Sequence, residues 1–414
     1  MTAATDGKLA LFGGEPAHKG PWPAWPVHDQ REREALLAVL DSGKWWYGER
    51  VREFEEKFAA FQDARFGIAC TNGTAALELA LIGAGIGAGM EVIVPPYTFV
   101  ATATAVLKAN AVPVFVDIEL DTLNIDAGQI EAAVTDKTAA IMPVHFAGLP
   151  ADMDRIGEIA RRRGLKVIED SAHGWGSKWR GKGCGALGDA GGFSFQLSKN
   201  ITAGEGGIVL TDDPALADTI RSLSNVGRGK DRPWYEHYLT GGNYRMTEFQ
   251  AAILLAQLTR LPEQTRRRAA NAAILNAGLA AIEGLHPLRE DPRAAERAYH
   301  LYGFRIVEAE FGCSRERFVE ALRAEGVPAG PGYPHPLYRN PLFQRKGSGP
   351  AYCPVSCPYY GREVDYTRVV CPNAECACRE VVWLSQSMLL ASEGDMEAIV
   401  AAARKIRRCV SQLR

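Results

Sequence analysis

Between residues 66 and 255, seven short apolar runs alternate with segments patterned as helices, and this alternation constrains the chain more than any other feature. The runs are GIACT, EVIVP, VPVFVD, AAIMPVH, LKVIED, GGFSF and GGIVLT. Such alternation predicts a sheet with parallel strands covered by helices, hence one large α/β domain. Between the first two runs, GTAALELALIGAG reads as a helix opened by Gly73 and Thr74 and stopped by glycines. The cluster GAGIGAG (83 to 89) follows a helix, whereas a dinucleotide fingerprint must follow a strand, so it is set aside. After Arg260 the pattern changes to a long polar helix, LPEQTRRRAANAAILNAGLAAI, then mixed segments, then a closing helix in which Ser392 and Asp395 form a capping box. The expected organisation is an arm over 1–30, a large domain over 31–260 and a small α+β domain over 261–414.

Bulk properties exclude several function classes. With 47 basic and 49 acidic residues the chain has a net charge of −2, which leaves no electrostatic footprint for nucleic acid or an anionic membrane. The runs Arg161–Arg163 and Arg266–Arg268 fall in helical segments and read as solvated faces. No apolar stretch is long enough to span a bilayer and no leader is evident, so a cytoplasmic protein is expected. Nine cysteines is an odd count, and a chain of 414 residues needs no disulfide staples, so reduced thiols are expected.

Four local features suggest chemistry. In CTNGTAAL a strand ends at a Gly-Thr pair that begins a helix, so Gly73 and Thr74 present amides and a positive dipole end suited to a phosphate. In KVIEDSAHGWG, Glu169 and Asp170 mark the carboxyl end of a strand, the edge where open α/β sheets bind ligands, with His173 close behind. In VPPYTFVATATA, Tyr97 and Phe99 follow a strand, as core residues or as a surface for a flat heterocycle. In GGFSFQLSKNITAGEGGIVLTD, Lys199 occupies the turn between two strands, and Ser194 precedes it. A lysine reacts with a carbonyl as a neutral amine, which requires a site that lowers its pKa. A phosphate cradle, a carboxylate for a pyridinium nitrogen, an aromatic and a Schiff-base lysine together describe a site for pyridoxal phosphate.

With NGTAALELAL, MEVIVPPYTFVATATAVL, PVFVDIELDTLNID, MPVHFAGLPADMD, VIEDSAHGWGS, FSFQLSKNITAGEGG and GGNYRMTEFQAAILLAQL in that order, the chain resembles the DegT/DnrJ/EryC1/StrS sugar and aminocyclitol aminotransferases over nearly its whole length. The resemblance implies a fold-type I pyridoxal phosphate-dependent transferase, with a large domain on a mixed, mostly parallel sheet and a small C-terminal α+β domain. It implies that Lys199 carries the cofactor, that Asp170 pairs with its ring nitrogen, and that Phe99 stacks on the ring. Gly73, Thr74 and Ser194 match phosphate contacts, and His173 a residue near the ring oxygen. Asn243 and Arg245, in GGNYRMTEF, match a loop that reaches the partner's phosphate, which implies a homodimer with shared sites. Tyr333 and His335, in GYPHPLY, match a loop near the substrate.

The implied reaction moves an amino group from glutamine, glutamate or alanine to a keto-cyclitol or keto-sugar, in secondary-metabolite or aminosugar biosynthesis. Relatives that are dehydratases carry histidine at the lysine position, so Lys199 favours transamination. The segments GPWPAWPVHD and SGKWWYGERVREFEEKFAAF are similar to the branch that aminates keto-cyclitols or makes aminohydroxybenzoate, whereas SFQLSKN departs from the Q-x-G-K run of those enzymes. A regulatory cofactor-binding protein is the competing reading, without a helix-turn-helix or basic patch to support it. Cys353, Cys357, Cys371, Cys376 and Cys378 crowd one stretch, but their spacing is not that of paired zinc ligands, and no metal is expected.

Overall fold

The computed structural model describes residues 7–344, 354–355 and 357–413. All seven predicted runs are strands of one sheet: β1 (Phe66–Cys70), β2 (Glu91–Val94), β3 (Val112–Phe115), β4 (Thr138–Ile141), β5 (Lys166–Asp170), β8 (Ala190–Ser194) and β9 (Gly207–Thr211). A small hairpin of β6 (Lys178–Trp179) and β7 (Lys182–Gly183) lies between β5 and β8. The order is β1-β9-β8-β5-β4-β2-β3. Strand β9 runs antiparallel to β1 and β8, while the other neighbouring pairs are parallel. The carboxyl ends of β1, β2, β4, β5 and β8 therefore share one edge.

Alternation along the strands assigns the two faces of this sheet. Phe193, Ile208 and Leu210 pack with the helices Glu49–Phe61 and Glu248–Leu258, while Ile168 and Val209 pack with the helix Gly73–Gly83. Two glycines let that last helix lie directly on β8. A Cβ at Gly192 would stand 2.8 Å from Leu77 Cδ2, and one at Gly73 would stand 2.6 Å from Ser194 Cβ. Asn72 caps the helix by accepting the Ala75 amide at 2.9 Å.

A second, antiparallel sheet comprises β10 (Leu285–Pro287), β11 (Leu301–Ile306), β12 (Gly330–Pro331) and β13 (Val381–Ser385), in the order β10-β11-β13-β12. Its core is closed by the helices Leu261–Ala280, Arg315–Ala324 and Glu393–Arg408, the last with the expected Ser392–Asp395 capping box. Leu9 of the N-terminal segment is buried in this core. The amides of Ala10 and Ala17 donate to Glu325, whose carboxylate also receives Lys405.

One surface expectation is corrected. Arg161–Arg163 are exposed, with Arg162 and Arg163 on Glu131, but Arg268 is wholly buried and donates to Gln386 and Gln264. Successive helical residues are about 100° apart, so a run of three turns one member inward. The eight described cysteines are free, and Cys353 lies outside the described residues. Among the described residues no three histidine, cysteine or acidic groups are placed to hold a metal, and no helix is long and apolar enough to cross a membrane.

The helix-on-sheet contact makes a measurable prediction. Gly192→Ala forces Leu77 and its helix outward and should cost about 1–3 kcal/mol, read as a lower urea midpoint for the cofactor-free protein. An unchanged midpoint would show that the helix is not held at that distance.

Candidate active site

At the shared carboxyl edge lies a cavity of about 810 Å³. The large sheet contributes Gly73, Thr74, Phe99, Asp170, His173, Ser194 and Lys199 to its wall. The second sheet closes the other side with His300, Leu301, Tyr333 and Trp383. Tyr333 stands edge-on to Trp383, with ring centroids 5.1 Å apart.

The helix Gly73–Gly83 points its N-terminus at one end of the cavity. The amides of Gly73 and Thr74 make no hydrogen bond to another described residue, so two donors and the positive dipole end stay available. Ser194, at the end of β8, lies against Gly73 because that residue has no side chain. Among the described residues its hydroxyl accepts only a long contact of 3.3 Å from the Gln196 amide.

Strand alternation separates the two carboxylates at the end of β5. Glu169 points away from the cavity and accepts from the amides of Gly185, Leu187 and Gly188 at 2.7 Å each and from His145 Nε2 at 2.8 Å. Asp170 faces the cavity, accepting from the Thr102 hydroxyl at 2.7 Å and the Ala172 amide at 3.2 Å. Among the described residues it has no ion-pair partner. Burial pushes its pKa up, against the pull of the Thr102 and Ala172 hydrogen bonds and of the Lys199 charge.

Lys199 follows a turn fixed by its own amide on the Gln196 carbonyl at 2.9 Å and by Gln196 Oε1, which receives both the amide and hydroxyl of Ser198. Its ammonium lies 5.7 Å from the centroid of Trp175. Burial lowers its pKa to about 8, with Asp170 opposing. The lysine is thus neutral in a substantial fraction of molecules near pH 8, the state a carbonyl requires. His173 accepts the Ala147 amide at Nδ1, 3.3 Å away, which leaves the ring proton on Nε2. Its ring packs on His300, with centroids 4.2 Å apart. Burial and the Lys199 charge hold His173 well below the ordinary histidine range.

The structure brings together Gly73, Thr74, Phe99, Asp170, His173, Ser194, Lys199 and Tyr333 around one cavity. Tyr97 instead belongs to the core, between Phe146 and Tyr333. His335 and Asn243 are exposed and Arg245 is half-buried, and all three lie outside the lining. Arg245 donates to Asn225 at 2.9 Å and covers the ring of Trp46. Sequence reasoning missed Thr102, His300 and Trp383. Thr102 had a findable signal, since it begins the turn after Phe99 in a helix at the same sheet edge; His300 and Trp383 come from distant segments without a local motif.

The lysine and its carboxylate should titrate as a pair. In the cofactor-free protein, modification by an amine-selective reagent should show one lysine ionising near pH 8 that is lost in Lys199→Met. Asp170→Asn removes the negative charge that opposes the shift, so this ionisation should move to still lower pH. A rise, or no such lysine in the parent protein, contradicts the geometry described.

Comparison with known proteins identifies the family. Residues 26–364 match the DegT/DnrJ/EryC1/StrS aminotransferase family. The chain is 38% identical over 418 residues to the L-glutamine:2-deoxy-scyllo-inosose aminotransferase of Streptomyces paromomycinus, with 97% of each chain covered. It is 39% identical over 390 residues to the 3-amino-5-hydroxybenzoate synthase of Amycolatopsis mediterranei (strain S699), covering 92% of this chain and 96% of that one. A crystal structure of 3-amino-5-hydroxybenzoic acid synthase superposes with a TM-score of 0.84 at 38% identity, over 95% of this chain and 99% of that one. With its fold, its lysine and the family match extending over most of its length, the chain belongs to the DegT/DnrJ/EryC1/StrS family of pyridoxal phosphate-dependent aminotransferases.

Proposed function

We propose that this pyridoxal phosphate-dependent aminotransferase carries the amino group of L-glutamine to the ketone of a keto-cyclitol. The observation that carries the reading is the placement of half-buried Lys199 across one cavity from buried Asp170, which forms no ion pair among the described residues. The substrate class follows from similarity to an L-glutamine:2-deoxy-scyllo-inosose aminotransferase.

The residues present fit the cofactor's chemistry. The open amides of Gly73 and Thr74 and the Ser194 hydroxyl would hold its phosphate, and Asp170 supplies the negative charge that a protonated ring nitrogen needs. Phe99 offers its ring and His173 an Nε2 proton for the ring oxygen. Bound there, pyridoxal phosphate supplies a carbonyl carbon that exchanges amines and a ring that delocalises negative charge.

The protein's part is to bind, orient and move protons. Asp170, fixed by Thr102 and Ala172, keeps one proton on the ring nitrogen through both half-reactions. Lys199 Nζ, when neutral, would carry a proton from the donor's α-carbon to the cofactor's carbonyl-derived carbon in the first half, and from that carbon to the acceptor's former carbonyl carbon in the second. Trp383, Tyr333 and Leu301 limit water on the side of the second sheet.

Two further parts of the reading concern assembly and place. We take the active form as a homodimer in which Asn243 and Arg245 serve the partner's cavity. Arg245 lies outside its own cavity lining, and the large apolar side chains Phe99, Leu197 and Trp46 stand exposed, with Phe99 at 61%. The free thiols suit a cytoplasmic enzyme. A second acceptor reading, formation of an aminohydroxybenzoate ring, draws on the 39%-identical synthase.

Absorbance spectra test the reaction directly. Protein loaded with pyridoxal phosphate should convert to the pyridoxamine form with L-glutamine, and 2-deoxy-scyllo-inosose should convert it back. Lys199→Ala should abolish both changes, and Asp170→Asn should retain cofactor while losing most of the rate. Conversion by no donor, or full turnover in Lys199→Ala, defeats the assignment. Mixing Lys199→Ala with Arg245→Ala chains tests the shared site: each alone should be inactive, and re-equilibrated dimers should regain about a quarter of parent activity. No recovery would place Arg245 in its own subunit's chemistry or outside it altogether.

A further inference from the structure

One imidazole on the cavity wall is held by more structure than packing requires. His300 precedes β11 and reaches the cavity from the second sheet. Asn200, the neighbour of Lys199 and wholly buried, donates through Nδ2 to the Ala298 carbonyl at 2.8 Å. Its Oδ1, 3.1 Å from His300 Nδ1, is therefore an acceptor, so Nδ1 carries the His300 proton. Tyr299, between these two contacts, has a left-handed backbone at φ 49°, a conformation that costs a non-glycine residue energy and persists only where its surroundings enforce it. The enforcement is visible: the Ala298 amide donates to Ser177 Oγ at 2.9 Å, and Ser177 donates in turn to the Gly148 carbonyl at 2.7 Å.

Nε2 of His300 makes no hydrogen bond to a described residue. The ring packs on His173 and, edge-on, on Trp175, with centroids 4.2 and 5.5 Å away. Burial, with the neighbouring charges of Lys199 and Arg268, holds its pKa well below the ordinary value, so the ring is neutral. What it offers the cavity is a lone pair.

We propose that His300 is a specificity-determining residue whose Nε2 accepts a hydrogen bond from a ring hydroxyl of the amino acceptor, with Asn200 as the positioning residue that fixes its tautomer. This rests on the reading of the site as a keto-cyclitol aminotransferase. A lone pair repels the carboxylate of an amino acid donor, whereas a polyhydroxylated ketone offers O–H groups on every side. The aromatic faces of Tyr333 and Trp383 on the same wall suit the C–H faces of such a ring.

Two measurements test this. His300→Phe keeps an aromatic ring against His173 and Trp175 and removes both nitrogens. With the pyridoxamine-loaded enzyme, kcat/KM for scyllo-inosose and 2-deoxy-scyllo-inosose should fall about 10- to 100-fold, while cyclohexanone changes by less than about 3-fold and the L-glutamine half-reaction stays near the parent rate. Equal losses for hydroxylated and bare ketones, or a loss confined to L-glutamine and absent with L-glutamate, overturn the proposal. Independently of turnover, nitrogen-15 spectra of histidine-labelled, full-length protein loaded with pyridoxal phosphate should show His300 neutral with its proton on Nδ1. Asn200→Leu should remove that signature, and scyllo-inosose should shift the Nε2 resonance. A proton on Nε2, or an Nε2 resonance that ignores the ketone, overturns it too. A parent enzyme that turns over no ketone yet shows that tautomer and that shift would defeat the functional reading while leaving the hydroxyl contact standing.

Discussion

Glu169 is wholly buried, and its three amide donors together with His145 satisfy its carboxyl oxygens where water cannot. That interaction ties the end of β5 to the loop 185–188 on one side and to the segment after β4 on the other. The next residue inherits the position so fixed. Because side chains alternate along a strand, a saturated carboxylate behind the sheet places an under-satisfied one in front of it. Asp170 is aimed by its neighbour's hydrogen bonds, and among the described residues it accepts only from Thr102 and Ala172. An uncompensated buried carboxylate costs free energy in the empty protein, and binding a cation there recovers it.

The remainder of the cavity follows a complementary rule. Lys199, His173 and His300 are all bases, and burial pushes each toward its neutral form. Neutral bases have definite donor and acceptor atoms, whereas protonated ones only donate. Backbone and amide partners then choose the atom: Ala147 leaves His173 a donor, and Asn200 leaves His300 an acceptor. Two packed rings of one residue type thereby present opposite polarity to the same space.

The sequence makes much of this readable where the information is local. Each of the seven apolar runs is a strand, and Lys199, Asp170, Ser194, Gly73 and Phe99 converge because each ends or follows a strand at the carboxyl edge. Less legible is the division of labour between Glu169 and Asp170, which depends on which face the strand presents. His300 lies 100 positions from its partner Asn200 and is delivered by the second sheet, a contact that no spacing rule contains. Arg268 shows the converse failure, since composition classifies a triple-arginine run as surface while helical geometry turns one member into the interior.

Asn200 has a mechanical consequence as well as an electrostatic one. It is covalently next to the lysine of the large sheet and hydrogen-bonded to the strap 298–300 that leads into the small one. Any hinge that separated the two sheets would have to break this clasp or drag the lysine with it. The two halves of the cleft are therefore latched beside the lysine, and access to the cavity has to come without the two sheets parting there.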